Sequence, residues 1–235
     1  MIHVEPQPEP EDFDEKVRRP GRKATARGSQ KMPALWCRCL DQLWSAYGGV
    51  CSYLCVRIAR GTGAKTVEHL APKSKKPGLA YEWSNFRLVC SLMNARKGVF
   101  EDVLDPFEVQ DGWFILELSS LEVLPAPELK PSVRRRVLDT INRLRLNDKE
   151  CLKARSELYD EYIKHVSNRE EGLTFELLRK WSPFVARELE RQNVVTPASS
   201  LARAKRPRPT IHREKARTKR VPKSGASRKQ RPTPR

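Results

Sequence analysis

The stretch from Thr66 to Gly98 restricts the possible folds of this chain more than any other part of its sequence. Residues 66–70 favour a first strand, and residues 86–89 alternate as expected of a second strand. Prolines and a glycine between these segments exclude regular structure there. Ser91 is placed to cap a short helix that continues to residue 97. The stretch therefore predicts a strand, a loop, a second strand and a helix.

The side chains carried by these elements are suited to phosphodiester hydrolysis. The first strand contains an acid–histidine pair, Glu68 and His69, and a histidine at a strand end could remove a proton from water. The carboxylate beside it and a helix amide, Asn94, could hold one hard cation through oxygen. Arg96 and Lys97 follow on the same helix and could bind a phosphate group. Together these are the parts of a metal-assisted phosphodiesterase.

Each of these residues also has an ordinary structural interpretation. The chain has four histidines, and His69 alone among them combines a strand context with an adjacent carboxylate, which favours catalysis. Glu68 by itself would be an ordinary strand acid. Asn85 and Asn94 by themselves would be turn and capping residues.

The stretch resembles the HNH, or ββα-metal, endonucleases. The matching segments are Val-Glu-His-Leu-Ala-Pro-Lys-Ser from Val67, Tyr-Glu-Trp-Ser-Asn from Tyr81 and Asn-Ala-Arg-Lys-Gly from Asn94. They look most like the HNH subunits of anti-phage defence operons, of the Septu type and of certain retrons. The similarity covers the chain from Trp36 to Leu118.

The resemblance implies a role for each matching residue. His69 corresponds to the general base, and Asn85 corresponds to a second catalytic residue that steadies the loop and orients the histidine. Glu68 and Asn94 correspond to ligands of a single metal ion. Because both would bind through oxygen, Mg²⁺ or Mn²⁺ is expected at this position rather than zinc. Lys97 corresponds to a basic residue that contacts the substrate phosphate.

A structural zinc site found in many relatives is incomplete in this sequence. In those relatives, two pairs of cysteines hold zinc through four thiolates. In this chain, Leu54 occupies the position of one cysteine of the first pair and Met93 that of one cysteine of the second pair. Cys51 and Cys90 remain, with Cys55 out of register. We expect no structural zinc, because loss of one partner from each pair suggests replacement by apolar packing. The alternative is a remnant site through the three cysteines.

Composition limits the possible partners and compartments. A net charge of +17 implies a polyanionic partner, most simply nucleic acid, with a solubilising tail as the alternative. No window approaches the roughly 20 apolar residues of a membrane span. The six cysteines are scattered and the first residues lack an apolar leader, so we expect a cytoplasmic protein with reduced thiols.

The fold class expected from these patterns is α+β: a small ββα-metal core with flanking helices, a helical C-terminal extension and disordered termini. Residues 1–31 are rich in proline and charge, which predicts disorder. The nuclease domain is predicted over residues 32–124 and the helical extension over residues 125–193. Between residues 203 and 235 the chain has fourteen lysines and arginines against one acid, so residues 194–235 predict a disordered polybasic tail.

Four helical segments are predicted by apolar spacing and turn residues. They are Ala34 to Tyr47, Ser132 to Val166 with a possible break at Asn147-Asp148, and two helices between Thr174 and Gln192 that are separated at Ser182-Pro183.

The function expected from the resemblance is hydrolysis of DNA, as the effector nuclease of an anti-phage complex. The resemblance implies an SMC/ABC-type ATPase as partner, and optionally a reverse transcriptase with its RNA–DNA product. Charge alone does not separate DNA from RNA as the substrate. Two other functions fit the sequence: a catalytically inactive nucleic-acid-binding module, and a scaffold whose long helices organise such a complex.

Overall fold

Helices and short antiparallel strands build the described part of the chain. The computed structural model describes residues 1–27, 32–60, 64–168 and 171–194. In chain order these residues form α1 (Arg19–Ala26), α2 (Leu40–Ala46), β1 (Lys65–His69), β2 (Phe86–Cys90), α3 (Ser91–Lys97), β3 (Phe114–Leu116), β4 (Val123–Pro125), α4 (Pro131–Leu144), α5 (Lys149–Ser167), α6 (Phe175–Trp181) and α7 (Pro183–Arg191). The fold class is α+β, as expected.

β1, β2 and α3 follow one another in the predicted order. The two strands pair antiparallel over their whole length, from Lys65 opposite Cys90 to His69 opposite Phe86. α3 begins directly after β2, so its first turn is fixed by the end of that strand. The predicted cap is wrong by one residue, because Ser91 is the first helical residue and the extended Cys90 takes the cap position.

The N-terminal segment is ordered and packed on the second strand and the loop before it. A single π-helical turn, Asp14–Arg18, leads into α1. Phe13 and Val17 are completely buried, and the ring of Phe13 meets Trp83 edge-on at 5.5 Å. The prediction of disorder over residues 1–31 is therefore wrong for residues 1–27, and residues 28–31 lie outside the described residues.

The predicted helix from Ala34 to Tyr47 is present, but it starts differently. Its first part is a 3₁₀ helix, Leu35–Cys39, and α2 continues from there. Gly48 and Gly49 end it with positive φ angles of 59° and 70°, a conformation that favours glycine.

The helices of the predicted extension contact the rest of the chain directly. β4 lies across the predicted boundary at residues 124–125 and pairs with β3. The carboxylate of Glu188 in α7 accepts a hydrogen bond from the backbone N–H of Leu116 at 3.0 Å. The backbone N–H of Arg57 donates to the carbonyl of Trp181 at 2.8 Å. Buried apolar side chains from both sides of the boundary form one continuous core.

The two predicted interruptions of the C-terminal helices are confirmed. Arg145 adopts the left-handed conformation, with φ of 50°, and ends α4 shortly before α5 begins. Ser182 leaves the helical conformation, with φ of −144° and ψ of 69°, and separates α6 from α7. Within the described ranges, no helix is both long enough and apolar enough to cross a bilayer. The predicted basic tail lies outside the described residues, except for its first residue, Val194.

Removing the Phe13 side chain should measure how firmly the N-terminal segment is docked. We expect Phe13→Ala to lower the free energy of unfolding by roughly 3 to 5 kcal/mol, because it leaves a cavity beside Trp83 and Phe86. The exposed neighbour variant Glu11→Ala is the matched control and should change it by less than about 0.5 kcal/mol. Urea unfolding of both variants provides the measurement. Equal free energies of unfolding for Phe13→Ala and the wild type would show that the N-terminal segment is not docked.

Candidate active site

A cavity of about 380 Å³ opens where β1 meets α3. β1 contributes Glu68 and His69, and α3 contributes Asn94. Trp36 from the 3₁₀ helix and Lys73 and Ser74 from the loop after β1 also line the wall. Three residues that the sequence analysis assigned to one site therefore border the same space.

His69 is held as a neutral imidazole with a defined tautomer. Its Nε2 lies 3.0 Å from the carbonyl oxygen of Ala80. Because a carbonyl only accepts hydrogen bonds, Nε2 must carry the proton, which leaves the lone pair on Nδ1. The ring packs edge-on against Trp36 at 4.8 Å and Phe86 at 5.2 Å. Burial lowers the pKa of His69 to about 4, with smaller contributions from the charges of Lys73 and Lys97 and against the hydrogen bond to Ala80, which raises it.

Asn85 closes the loop between the two strands. Its Oδ1 accepts from the backbone N–H of Ala71 at 2.8 Å. Its Nδ2 donates to the carbonyl oxygens of Ala71 at 3.1 Å and Leu79 at 3.0 Å. Leu79 immediately precedes Ala80, the residue whose carbonyl holds His69. Asn85 thus holds the loop backbone next to the Ala80 carbonyl, which is the hydrogen-bond partner of His69.

Glu68 forms a buried ion pair with Lys97. The distance from Lys97 Nζ to Glu68 Oε1 is 2.9 Å, and the two side chains are 0% and 3% exposed. The same ammonium group donates to the carbonyl oxygen of His69 at 3.1 Å. Burial raises the pKa of Glu68 to about 7, and the opposing charges of Lys97 and Lys73 limit the rise.

The structure places Arg96 and Lys97 away from the open part of the cavity, which disagrees with the phosphate contact predicted for them. Lys97 is fully buried against Glu68. Arg96 forms an ion pair with Asp148 and donates to the carbonyl oxygen of Leu144 at 3.0 Å. Both cations are satisfied by partners within the chain, so a phosphate would have to displace those partners to reach them.

The three cysteines of the possible zinc remnant do not form a ligand set. Cys51 and Cys55 are buried, and the backbone N–H of Cys90 donates to the Cys51 sulfur at 3.4 Å. Leu54 and Met93 are buried at the positions where cysteines would complete the pairs. Among the described residues, no three His, Cys, Asp or Glu side chains are grouped to hold a metal ion.

Two cavity residues had no firm assignment from the sequence. Trp36 was interpreted only as a helix residue, because nothing in its spacing shows that its ring would touch a histidine 33 positions later. Lys73 lies in a loop with two further lysines, Lys75 and Lys76, and the sequence alone does not separate a lysine that contacts a nucleic-acid backbone from one that remains solvated. Its position one residue after Pro72, close behind His69, is the only signal that could have distinguished it.

Comparison of the chain with models of known protein families finds no match, and comparison with curated proteins finds none either.

The ion pair between Glu68 and Lys97 should be costly to break from one side only. We expect Lys97→Met to destabilise the fold by roughly 3 to 5 kcal/mol, because it leaves a buried carboxylate without its partner. Glu68→Gln combined with Lys97→Met should recover most of that loss. Thermal and urea unfolding of the single and double variants provide the measurement.

The exposed pair between Lys75 and Glu101, 2.9 Å apart, is the matched control. Lys75→Met should cost less than about 1 kcal/mol because that pair is exposed to solvent. Similar losses for Lys97→Met and Lys75→Met would contradict the buried ion pair.

The lowered pKa of His69 makes the fold sensitive to acid. Since the folded state favours neutral imidazole, the contribution of His69 to stability is complete above its ordinary pKa of 6.5 and declines as the pH falls towards about 4. Between pH 7.5 and pH 5, we expect the wild-type chain to lose about 2 kcal/mol more stability than His69→Gln. Both proteins retain Glu68, so its titration largely cancels. Parallel pH profiles in urea unfolding would contradict the shift.

Proposed function

We propose that this protein is a metal-dependent endonuclease of the HNH type that hydrolyses phosphodiester bonds in DNA. The observation that carries the proposal is the shared cavity, in which Glu68 and His69 from β1 and Asn94 from α3 border one space of about 380 Å³. A strand pair followed directly by a helix, with the histidine at the strand end, supports the same assignment.

The state of His69 suits a general base. Its Nδ1 carries the lone pair, and burial keeps the ring neutral at physiological pH. Among the described residues, no hydrogen bond to Nδ1 is found, so that nitrogen is open to a water molecule. His69 would take the proton from that water as it attacks the scissile phosphate.

The donor set fits a hard divalent cation. Glu68 supplies a carboxylate and Asn94 a carboxamide oxygen, and Mg²⁺ in proteins commonly combines one or two carboxylates with water and substrate phosphate. Lys97 contacts one carboxylate oxygen, Oε1, and its charge keeps Glu68 from neutralising completely on burial. When bound, such an ion would offset negative charge on the phosphate and the leaving oxygen.

The proposed substrate and partners follow from charge and resemblance. A net charge of +17 favours attraction to a nucleic-acid backbone. The similarity to anti-phage HNH subunits favours DNA, and an SMC/ABC-type ATPase as the targeting partner, optionally with a reverse transcriptase and its RNA–DNA product. Purification from a host with and without the neighbouring genes tests the partner. A monomer with full activity in both cases would refute it.

Plasmid nicking tests the enzymatic proposal. We expect the full chain to nick supercoiled DNA with Mg²⁺ and to stop when the metal is chelated. His69→Ala should lower the rate roughly 100- to 10,000-fold because the general base is lost. His165→Ala is the matched control, since His165 lies on α5, donates through Nδ1 to the carbonyl oxygen of Glu171 at 3.1 Å and does not border the cavity. Its rate should equal that of the wild type.

Two results would favour the other functions. DNA binding without metal-dependent nicking by the wild type would indicate an inactive binding module. Nicking by His69→Ala at the wild-type rate would show that this cavity is not the site of the reaction.

A further inference from the structure

Hydrolysis of a phosphodiester in this cavity would be helped by a positive group that reaches the phosphate, and the two cations of α3 are already paired within the chain. Lys97 is fully buried against Glu68, and Arg96 is paired with Asp148. Lys73 is different, because it is exposed, it borders the cavity and it forms no ion pair with any described residue. We propose that Lys73 binds the phosphate group of the substrate in this cavity, an inference that rests on the proposed function.

Trp36 fixes the position of Lys73 relative to the catalytic histidine. The Lys73 Nζ lies 4.9 Å from the centre of the Trp36 ring, an arrangement in which the ring face attracts the cation. The same indole meets the His69 ring edge-on at 4.8 Å, with an interplanar angle of 87°. One aromatic side chain therefore contacts both the ammonium group and the imidazole, and it sets the spacing between them.

The electrostatics agree with this placement. The charge of Lys73 is among the causes that lower the pKa of His69, after burial, and it also opposes the rise in the pKa of Glu68. The ammonium group therefore lies within electrostatic reach of both residues that border the proposed phosphate position. A phosphate bound there would have its charge met by a cation whose own hydrogen-bonding capacity is not used by the described residues.

The loop itself provides an internal comparison. Lys73, Lys75 and Lys76 lie within four residues, and all three are exposed. Lys75 is paired with Glu101 at 2.9 Å. Lys76 is exposed in the same loop but does not border the cavity. A general attraction of the loop for nucleic acid would involve Lys76 as much as Lys73, whereas a phosphate site in the cavity would involve Lys73 alone.

Steady-state nicking of a DNA duplex by the full chain tests the proposal in the catalytic reaction. We expect Lys73→Met to lower kcat/KM about tenfold or more, as loss of a charge-assisted phosphate contact should. Lys73→Arg should restore most of the loss, and Lys76→Met should match the wild type. Equal rates for Lys73→Met and Lys76→Met, with His69→Ala inactive, would overturn the Lys73 site and leave the proposed function intact.

A binding measurement decides the question even if no protein nicks DNA. Thymidine 3′,5′-bisphosphate is the probe, titrated calorimetrically into the full chain with a chelator present. We expect Lys73→Met to weaken binding about tenfold, with Lys76→Met unchanged. If Lys73→Met weakens the binding of inorganic phosphate by the same factor, the site recognises a phosphate group alone. If it weakens the binding of the nucleotide only, the site also contacts the sugar or the base. Unchanged nucleotide affinity in Lys73→Met would overturn the proposal.

Discussion

The buried ion pair between Glu68 and Lys97 is the interaction on which the cavity depends. Both side chains are almost completely buried, so removal of either one leaves the other charge without a partner. Because Lys97 also donates to the His69 carbonyl, the last turn of α3 is fastened to the end of β1. Asn94 lies one turn earlier on α3, and the same contact therefore brings its carboxamide to the wall that His69 and Glu68 form.

That pair also determines which charges the cavity presents. The carboxylate of Glu68 is compensated from within the fold, and burial keeps His69 neutral. The exposed ammonium group of Lys73 is then the free positive charge at this wall among the described residues. A neutral imidazole, a compensated carboxylate and one open cation give this wall a single positive charge that could meet an anionic group. A cluster of cations there would depress the basicity of His69 still further.

The sequence was sufficient to predict the elements of the site but not the partners of its cations. Glu68, His69 and Asn94 could be placed because strand and helix periods are local properties. The pairing of Lys97 with Glu68 could not be predicted, since a lysine one turn after Asn94 can face either solvent or the strand, and only packing decides between them.

Composition gave the wrong expectation for residues 1–27. Few of these residues are apolar, but two of them, Phe13 and Val17, are completely buried. The surrounding charges are largely paired, as with Arg18 and Glu82 at 2.8 Å, which average composition does not reveal.

Arg96, the residue before Lys97 on α3, connects that helix to the helical extension. Its guanidinium group binds Asp148 and the carbonyl oxygens of Leu144 and Arg145, at the junction of α4 and α5. α3 is thus held by β1 through Lys97 and by the α4–α5 junction through Arg96. Removal of the chain beyond Val123 would take away the second anchor and disturb the position of Asn94. Loss of function after such a truncation would follow equally from a scaffold and from an enzyme, so substitutions within the cavity are the ones that separate these two functions.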